Sequence, residues 1–269
     1  MSLLKIQNDL ISLSVNANQG ARICEFSLNG KNALFTGLPE WGSTFWPSPQ
    51  HAWGWPPPAT LDTHAYHAKK GENFLHFSSE PCERTGLQLD KKIMPTKRGF
   101  TVLYTLRNIA QIPQSYACWE ITRVAGGITF FASDETPLEH SSLKLTSTEG
   151  CYWHHYDVAT QTDNLKSFAN GSAGWLANAH NGLLLLKQFP QIPSSQIAPQ
   201  EAEVEIYAHG DQAQPYIEIE QQGAYVCLQP GESAQWGVDW SLFVIPEDMQ
   251  VAAGSGALVQ WVKTLLADN

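Results

Sequence analysis

With 269 residues, 43% hydrophobic and only 16% charged, the chain is too apolar for disorder and long enough to bury a large core. Its net charge of −10 repels phosphate backbones and anionic lipid, which argues against nucleic acid and membrane surfaces and favours a neutral or cationic small molecule. No apolar run reaches the ~18 to 20 residues of a membrane span. The start, MSLLKIQNDL, lacks the basic-then-apolar order of a secretion signal, so a cytoplasmic protein is expected.

A period of two dominates the chain. Ile11, Leu13 and Val15 alternate with Ser12 and Ser14. Cys24, Phe26 and Leu28 alternate with Glu25 and Ser27 before an Asn29-Gly30 hairpin signal. Phe100, Val102, Tyr104 and Leu106 repeat the pattern, as do Val204, Ile206 and Ala208, then Ile217 and Ile219, then Trp236, Val238, Trp240, Leu242 and Val244. Leu183 to Leu186 is a short continuous apolar run, which predicts a strand buried on both faces. Gln191 to Gln200 reads as a long loop. Helical spacing is confined to Ala252–Ala267, where Leu258, Trp261, Val262, Leu265 and Leu266 share a face, and this helix is expected to cap an edge or an open end of the sheets. The economical architecture is all-β: one two-sheet antiparallel domain over residues 1–269 with a C-terminal helix. The five cysteines are scattered and never form a C-x-x-C pair, so they read as reduced, mostly buried thiols.

The segment Trp41–Asp62, WGSTFWPSPQHAWGWPPPATLD, holds four of the ten tryptophans and five prolines. The segment reads as a stiff, polar-edged loop whose indoles form either a plug between sheets or a platform for an amphipathic ligand such as a sugar. Trp46, Trp53 and Trp55, with His51 and the closing Asp62, are therefore candidate binding residues. Further on, Trp119 and Glu120 set an indole beside a carboxylate on opposite strand faces, and Arg123 is read as a plain surface position. Nine histidines raise a metal reading, but no ligand spacing for zinc is present and no metal is expected. A single histidine acting as acid or donor is the better use, with His51, His154 and His155 as candidates.

Glu218 and Glu220, in PYIEIEQQG, are the sharpest pair. With Ile217 and Ile219 on one side of a strand, both carboxylates share the other, ~7 Å apart. On a solvated face they are ordinary polar residues; in a pocket, repulsion and burial would suit one of them to act as a general base. No nucleophile elbow, phosphate loop or dinucleotide fingerprint is present, so no cofactor is implied.

Three segments together resemble the galactose mutarotase-like, or aldose 1-epimerase-like, superfamily: NANQGARICEFSLNGKNALF at residues 16 to 35, TLRNIAQIP at 105 to 113, and YIEIE followed by LQPGESAQWGVDWSLFVI at 228 to 245. The Trp-Pro-Ser-Pro-Gln and Trp-Pro-Pro-Pro segments resemble a separate branch of it. The resemblance implies a large antiparallel supersandwich with a sugar site on its concave face. It also implies chemistry in which a glutamate takes the anomeric hydroxyl proton while a histidine protonates the ring oxygen. Glu218 best matches the base, with Glu220 as the alternative. Where the mutarotases carry an asparagine-histidine pair before an aromatic residue, this chain reads Cys118-Trp119-Glu120. Either Glu120, His51 or His154 supplies the proton, or the protein binds carbohydrate without turning it over. Arg22 matches the opening motif with a role in the turn, and Lys187, with Arg22 and Arg123, leaves a phosphorylated sugar open as ligand. The partner expected on either reading is a small-molecule carbohydrate.

Overall fold

A computed structural model of the protein describes residues 3–267. Strands β1 (Leu3–Asn8), β2 (Ile11–Asn16), β3 (Arg22–Leu28), β4 (Lys31–Asn32) and β5 (Ser43–Ser48) open the first sheet. A 3-10 turn at Gln50–Ala52 and the short helix α1 (Ala59–Asp62) lead to the second sheet. There β6 (His67–Lys70), β7 (Leu75–Ser78), β8 (Leu87–Thr96) and β9 (Gly99–Asn108) run as a meander. β10 (Gln114–Val124) returns to the first sheet; β11 (Gly127–Ala132), β12 (Thr146–Thr148) and β13 (Cys151–Tyr156) join the second. β14 (Leu165–Ala169) goes back to the first sheet, and β15 (Trp175–His180) and β16 (Leu183–Gln188) to the second. β17 (Val204–Ala208), β18 (Ile217–Gln222) and β19 (Val226–Leu228) complete the first sheet, and β20 (Ser233–Val244) the second, before helix α2 (Gly256–Ala267).

In space the first sheet runs β1-β2-β3-β5-β10-β18-β17-β14, with β4 beside β3 and β19 beside β10. The second runs β12-β13-β11-β15-β16-β20-β9-β8-β7-β6, and neighbouring strands pair antiparallel. The expected all-β two-sheet architecture with a C-terminal helix is what forms. The Asn29-Gly30 turn works as its composition predicts, both residues adopting positive φ (52° and 77°) to reverse β3 into β4.

Aromatic rings fill the space between the sheets: Phe26 meets Trp240 edge-on at 5.4 Å, and Phe45 meets Tyr104 at 5.2 Å. Through this apolar seam runs a buried polar cluster. Glu120 on β10 accepts hydrogen bonds from Tyr104 Oη (2.6 Å), Lys187 Nζ (2.6 Å), Trp240 Nε1 (3.1 Å) and the Gln221 amide. β16 is buried on both faces, as its apolar run predicts: Leu183 and Leu185 face the seam, and Leu184 and Leu186 face outward.

Two expectations are corrected here. The first part of the tryptophan-rich segment is strand β5, an interior strand between β3 and β10 rather than a loop. Helix α2 lies on the outer face of the second sheet instead of capping an edge. Its Leu258, Val259, Val262 and Leu265 pack with Leu184, Leu186, Phe130, Trp153 and Trp175, because those outward side chains would otherwise expose a large apolar area. Among the described residues, every cysteine is a free thiol, and no helix is long and apolar enough to cross a membrane.

Candidate functional site on the outer face of the first sheet

Alternation along β18 decides where the site lies. Ile217, Ile219 and Gln221 point into the seam, so Glu218, Glu220 and Gln222 stand on the opposite, outer face. Register then supplies their neighbours. Arg123 on β10 is opposite Glu218 and Ile121 is opposite Glu220. On the other flank Tyr207 is opposite Glu218 and Glu205 is opposite Glu220. One strand further out, Lys166 on β14 is opposite Tyr207. On the far side of β10, Trp46 is opposite Trp119. Residues from five strands therefore share one face.

Two ion-paired groups organise it. Arg123, only 1% exposed, bonds Glu218 at 2.7 Å and Glu40 at 3.0 Å, with its guanidinium between the rings of Trp46 (5.8 Å) and Tyr216 (5.9 Å). Burial acts to lower the Arg123 pKa, but the Glu218 and Glu40 carboxylates more than offset it and hold the cation. Lys166 bridges Glu205 (2.6 Å) and Glu220 (3.1 Å) and sits 4.8 Å over the Trp119 ring. Burial pushes Glu220 up to about 8 and Glu205 up to about 7; Lys166 opposes both shifts, and like-charge repulsion adds to them. His209 stacks on Tyr216 (centroids 4.4 Å apart, 15° between planes) with Nδ1 3.3 Å from Tyr207 Oη. Burial and the Glu218 charge push the Tyr207 phenol up to about 12, so it stays protonated.

These groups enclose a cavity of about 380 Å³. Glu218, Arg123 and Lys166 line it together with Tyr207, His209 and Tyr216; Trp46, Trp55, Gln50 and Glu40 complete the lining. A larger depression of about 660 Å³ lies over Thr101, Gly237 and Asp239 of the second sheet, but its only ionisable group, Asp239, is exposed. The smaller cavity holds the charged and aromatic groups a specific polar ligand needs.

Residues 47–243 match the family described as a domain of unknown function, DUF4380. The chain belongs to this family. No curated protein sequence matches it. Solved structures with this fold include a galactose mutarotase-like protein from Lactobacillus casei ATCC 334, with a TM-score of 0.65 and 12% identity, covering 90% of this chain and 100% of that one. A galactose mutarotase related enzyme from Lactobacillus acidophilus has a TM-score of 0.67 and 10% identity, covering 92% and 99%. A galactose mutarotase-like protein from Clostridium acetobutylicum has a TM-score of 0.59 and 10% identity, covering 90% and 95%. The DUF4380 chain therefore has the galactose mutarotase-like fold.

The expected site residues of this DUF4380 protein fall into three groups. Glu218, Trp46 and the 65%-exposed Trp55 line the cavity. Glu220, Trp119, Trp53 and Asp62 lie behind it. Glu220 is fully buried against Lys166, and Trp119 lies under Lys166 with its ring edge-on to Trp46 at 5.4 Å. Trp53 donates to the Pro47 carbonyl (2.6 Å) and braces Trp46 from 6.2 Å. Asp62 accepts from Trp46 Nε1 (3.1 Å), Thr44 Oγ1 (2.6 Å) and Arg22 (3.0 Å), which fixes the indole. Gly20 permits this: at φ +61°, its missing Cβ would stand 1.9 Å from the Asp62 carbonyl oxygen.

The third group is corrected. Glu120 and Lys187 are bonded to each other in the seam between the sheets, both with fully buried side chains, and neither lines the cavity. His154 is on β13 of the second sheet, where burial lowers its pKa to about 4. His51 is exposed on the 3-10 turn, outside the cavity lining. Arg123 is no surface residue: its parity places it with Glu218, buried. Sequence reasoning missed Glu40, Gln50, Lys166, Glu205, Tyr207, His209 and Tyr216. For Glu205 and Tyr207 a signal existed, since they alternate with Val204, Ile206 and Ala208 as Glu218 and Glu220 do with isoleucines. Among the described residues no three His, Cys, Asp or Glu side chains converge as a metal site.

Proposed function

We propose that this cavity binds a monosaccharide and interconverts its anomers by general acid–base catalysis. The observation that carries the reading is the meeting of Glu218, His209, Arg123 and the Trp46 and Trp55 rings around about 380 Å³. Rings receive the C–H face of a sugar while charged groups receive its hydroxyls. Glu218 takes the proton of the anomeric hydroxyl, the bond from C1 to the ring oxygen breaks, and His209 protonates that oxygen. Rotation about the C1–C2 bond and reversal of the proton transfers close the other anomer. Arg123 fixes the Glu218 carboxylate, and Tyr207 orients the imidazole through its contact at Nδ1. His209 thus takes the part for which the sequence offered Glu120, His51 or His154.

Optical rotation of freshly dissolved α-D-glucose and α-D-galactose tests the proposal. The wild type should outpace buffer, and Glu218→Gln or His209→Asn should each lose on the order of 10²-fold or more. A wild-type rate equal to buffer across a broad sugar panel removes catalysis. One observation favours a binding-only protein: Glu218 is already ion-paired with Arg123 at 2.7 Å, which occupies the proposed base. Saturable calorimetric binding with no change in anomerisation would select that reading.

A further inference from the structure

The bonding of the two buried arginines goes further than the aromatic rings in saying which sugar the cavity takes. Arg22 and Arg123 are 3% and 1% exposed, and a guanidinium out of water needs close acceptors. Each has a buried partner: Asp62 at 3.0 Å from Arg22, and Glu218 at 2.7 Å from Arg123. A third carboxylate, Glu40, is shared between them at 3.0 Å from Arg123 and 4.0 Å from Arg22, and its side chain is 37% exposed.

Glu40 differs from the other two in how it is held. Its segment is stapled at the base: Phe35 N–H donates to Arg123 O, Gly42 N–H to Phe35 O, and Arg123 N–H to Gly42 O, each at 2.9 Å. Gly42 is fixed there at φ +63°, where a Cβ would stand 2.2 Å from the Ile23 carbonyl oxygen. Beyond the staple the chain is open to solvent, with Leu38 68% exposed. Glu40 can therefore leave Arg123 without opening the sheet, whereas Glu218, on an interior strand, cannot.

Resting on the reading of the cavity as a sugar site, we propose that the ligand is an acidic monosaccharide, a hexuronate, and that Glu40 occupies the place on Arg123 that the sugar carboxylate takes. Exchanging one carboxylate for another leaves the charge around Arg123, Glu218 and Lys166 unchanged. A planar carboxylate also matches the guanidinium fork. Arg123 has donors to spare, since its Nε and Nη1 are buried without acceptors. A phosphate would bring further negative charge beside Glu218 and Glu220, and an ammonium would meet Arg123 and Lys166. The net charge of −10 acts at long range and is screened over roughly 10 Å, so the local guanidinium decides.

Calorimetry on the full chain with D-glucuronate and D-galacturonate, D-glucose and D-galactose, and glucose 6-phosphate tests this. Each uronate should bind at least about tenfold tighter than its neutral counterpart, the value of one charge-assisted hydrogen bond. Glu40→Gln, a change at a partly exposed position, should raise that ratio several-fold by weakening the occupant. Arg123→Lys, which keeps the charge and loses the fork, should lower it. Neutral sugars that bind as tightly as uronates would overturn the acidic-sugar assignment while leaving the broader proposal intact. Tighter binding of the phosphate, or a ratio unmoved by Glu40→Gln, also overturns it. Absence of binding by every sugar removes both proposals together.

Discussion

Lys91 shows how strongly a single residue can be shaped by its surroundings. Its ammonium is fully buried, donates to the Ala21 carbonyl at 2.8 Å and lies 5.5 Å from the Tyr104 ring centre. Burial lowers its pKa from 10.5 to about 7, only partly countered by Glu120. A lysine with a depressed folded pKa destabilises the protein fully below about pH 7, and that cost fades as pH rises toward 10.5, where the unfolded lysine also loses its proton. Lys91→Met should therefore raise the melting temperature most at or below pH 7, with the gain shrinking toward pH 10. An increment that does not vary with pH would show that packing, not charge, limits this site. Asp62 is the opposite case, a carboxylate with three donors that holds Trp46 in place without entering the cavity.

Among the elements, α2 and β10 are the informative ones. The buried stripe of α2 covers the outward side of β16, so Leu258→Ala should cost about 2–5 kcal/mol in urea-induced unfolding, as expected for truncation of a packed leucine. A loss below about 1 kcal/mol would mean the helix is peripheral to the fold. β10 inverts the usual pattern of an amphipathic strand. Its Trp119 and Ile121 face outward with Arg123, and its Glu120 and Thr122 face the seam. Parity in the sequence correctly separates Glu120 from Arg123, but polarity points Glu120 to the wrong face and gives no sign that Arg123, on the outer face, is buried. An indole and an isoleucine suggest the inside, yet here they lie on the outer face, Trp119 beneath Lys166 and against Trp46, behind the cavity lining.

For the molecule as a whole, the Glu120–Lys187 pair joins the two sheets across their apolar seam, both side chains fully buried. Burial lowers Lys187 to about 8 against the pull of Glu120, so the pair is held by geometry as much as by charge. Removing one partner strands the other, and Lys187→Met should cost about 3–5 kcal/mol in chemical denaturation. The double variant Glu120→Gln with Lys187→Met should recover much of that loss. If the double variant is as unstable as the sum of the two single ones, the two residues do not act as a unit.

The sequence by itself determined the fold class and the plainly alternating strands, because a period of two along β2, β9, β17, β18 and β20 and a period of 3.6 along α2 are local consequences of backbone geometry. For the same reason it determined that Glu218 and Glu220 share a face. Which residues those carboxylates meet was decided only by tertiary structure. Arg123 and Tyr207 stand beside Glu218 through register between strands far apart in the chain, and Glu40 arrives from a stapled turn. Lys187 is separated from the site by the sheet itself, its side chain in the seam with Glu120. Alternation divides a strand into two faces, but packing against the second sheet decides which face of the first is dry and which holds the cavity.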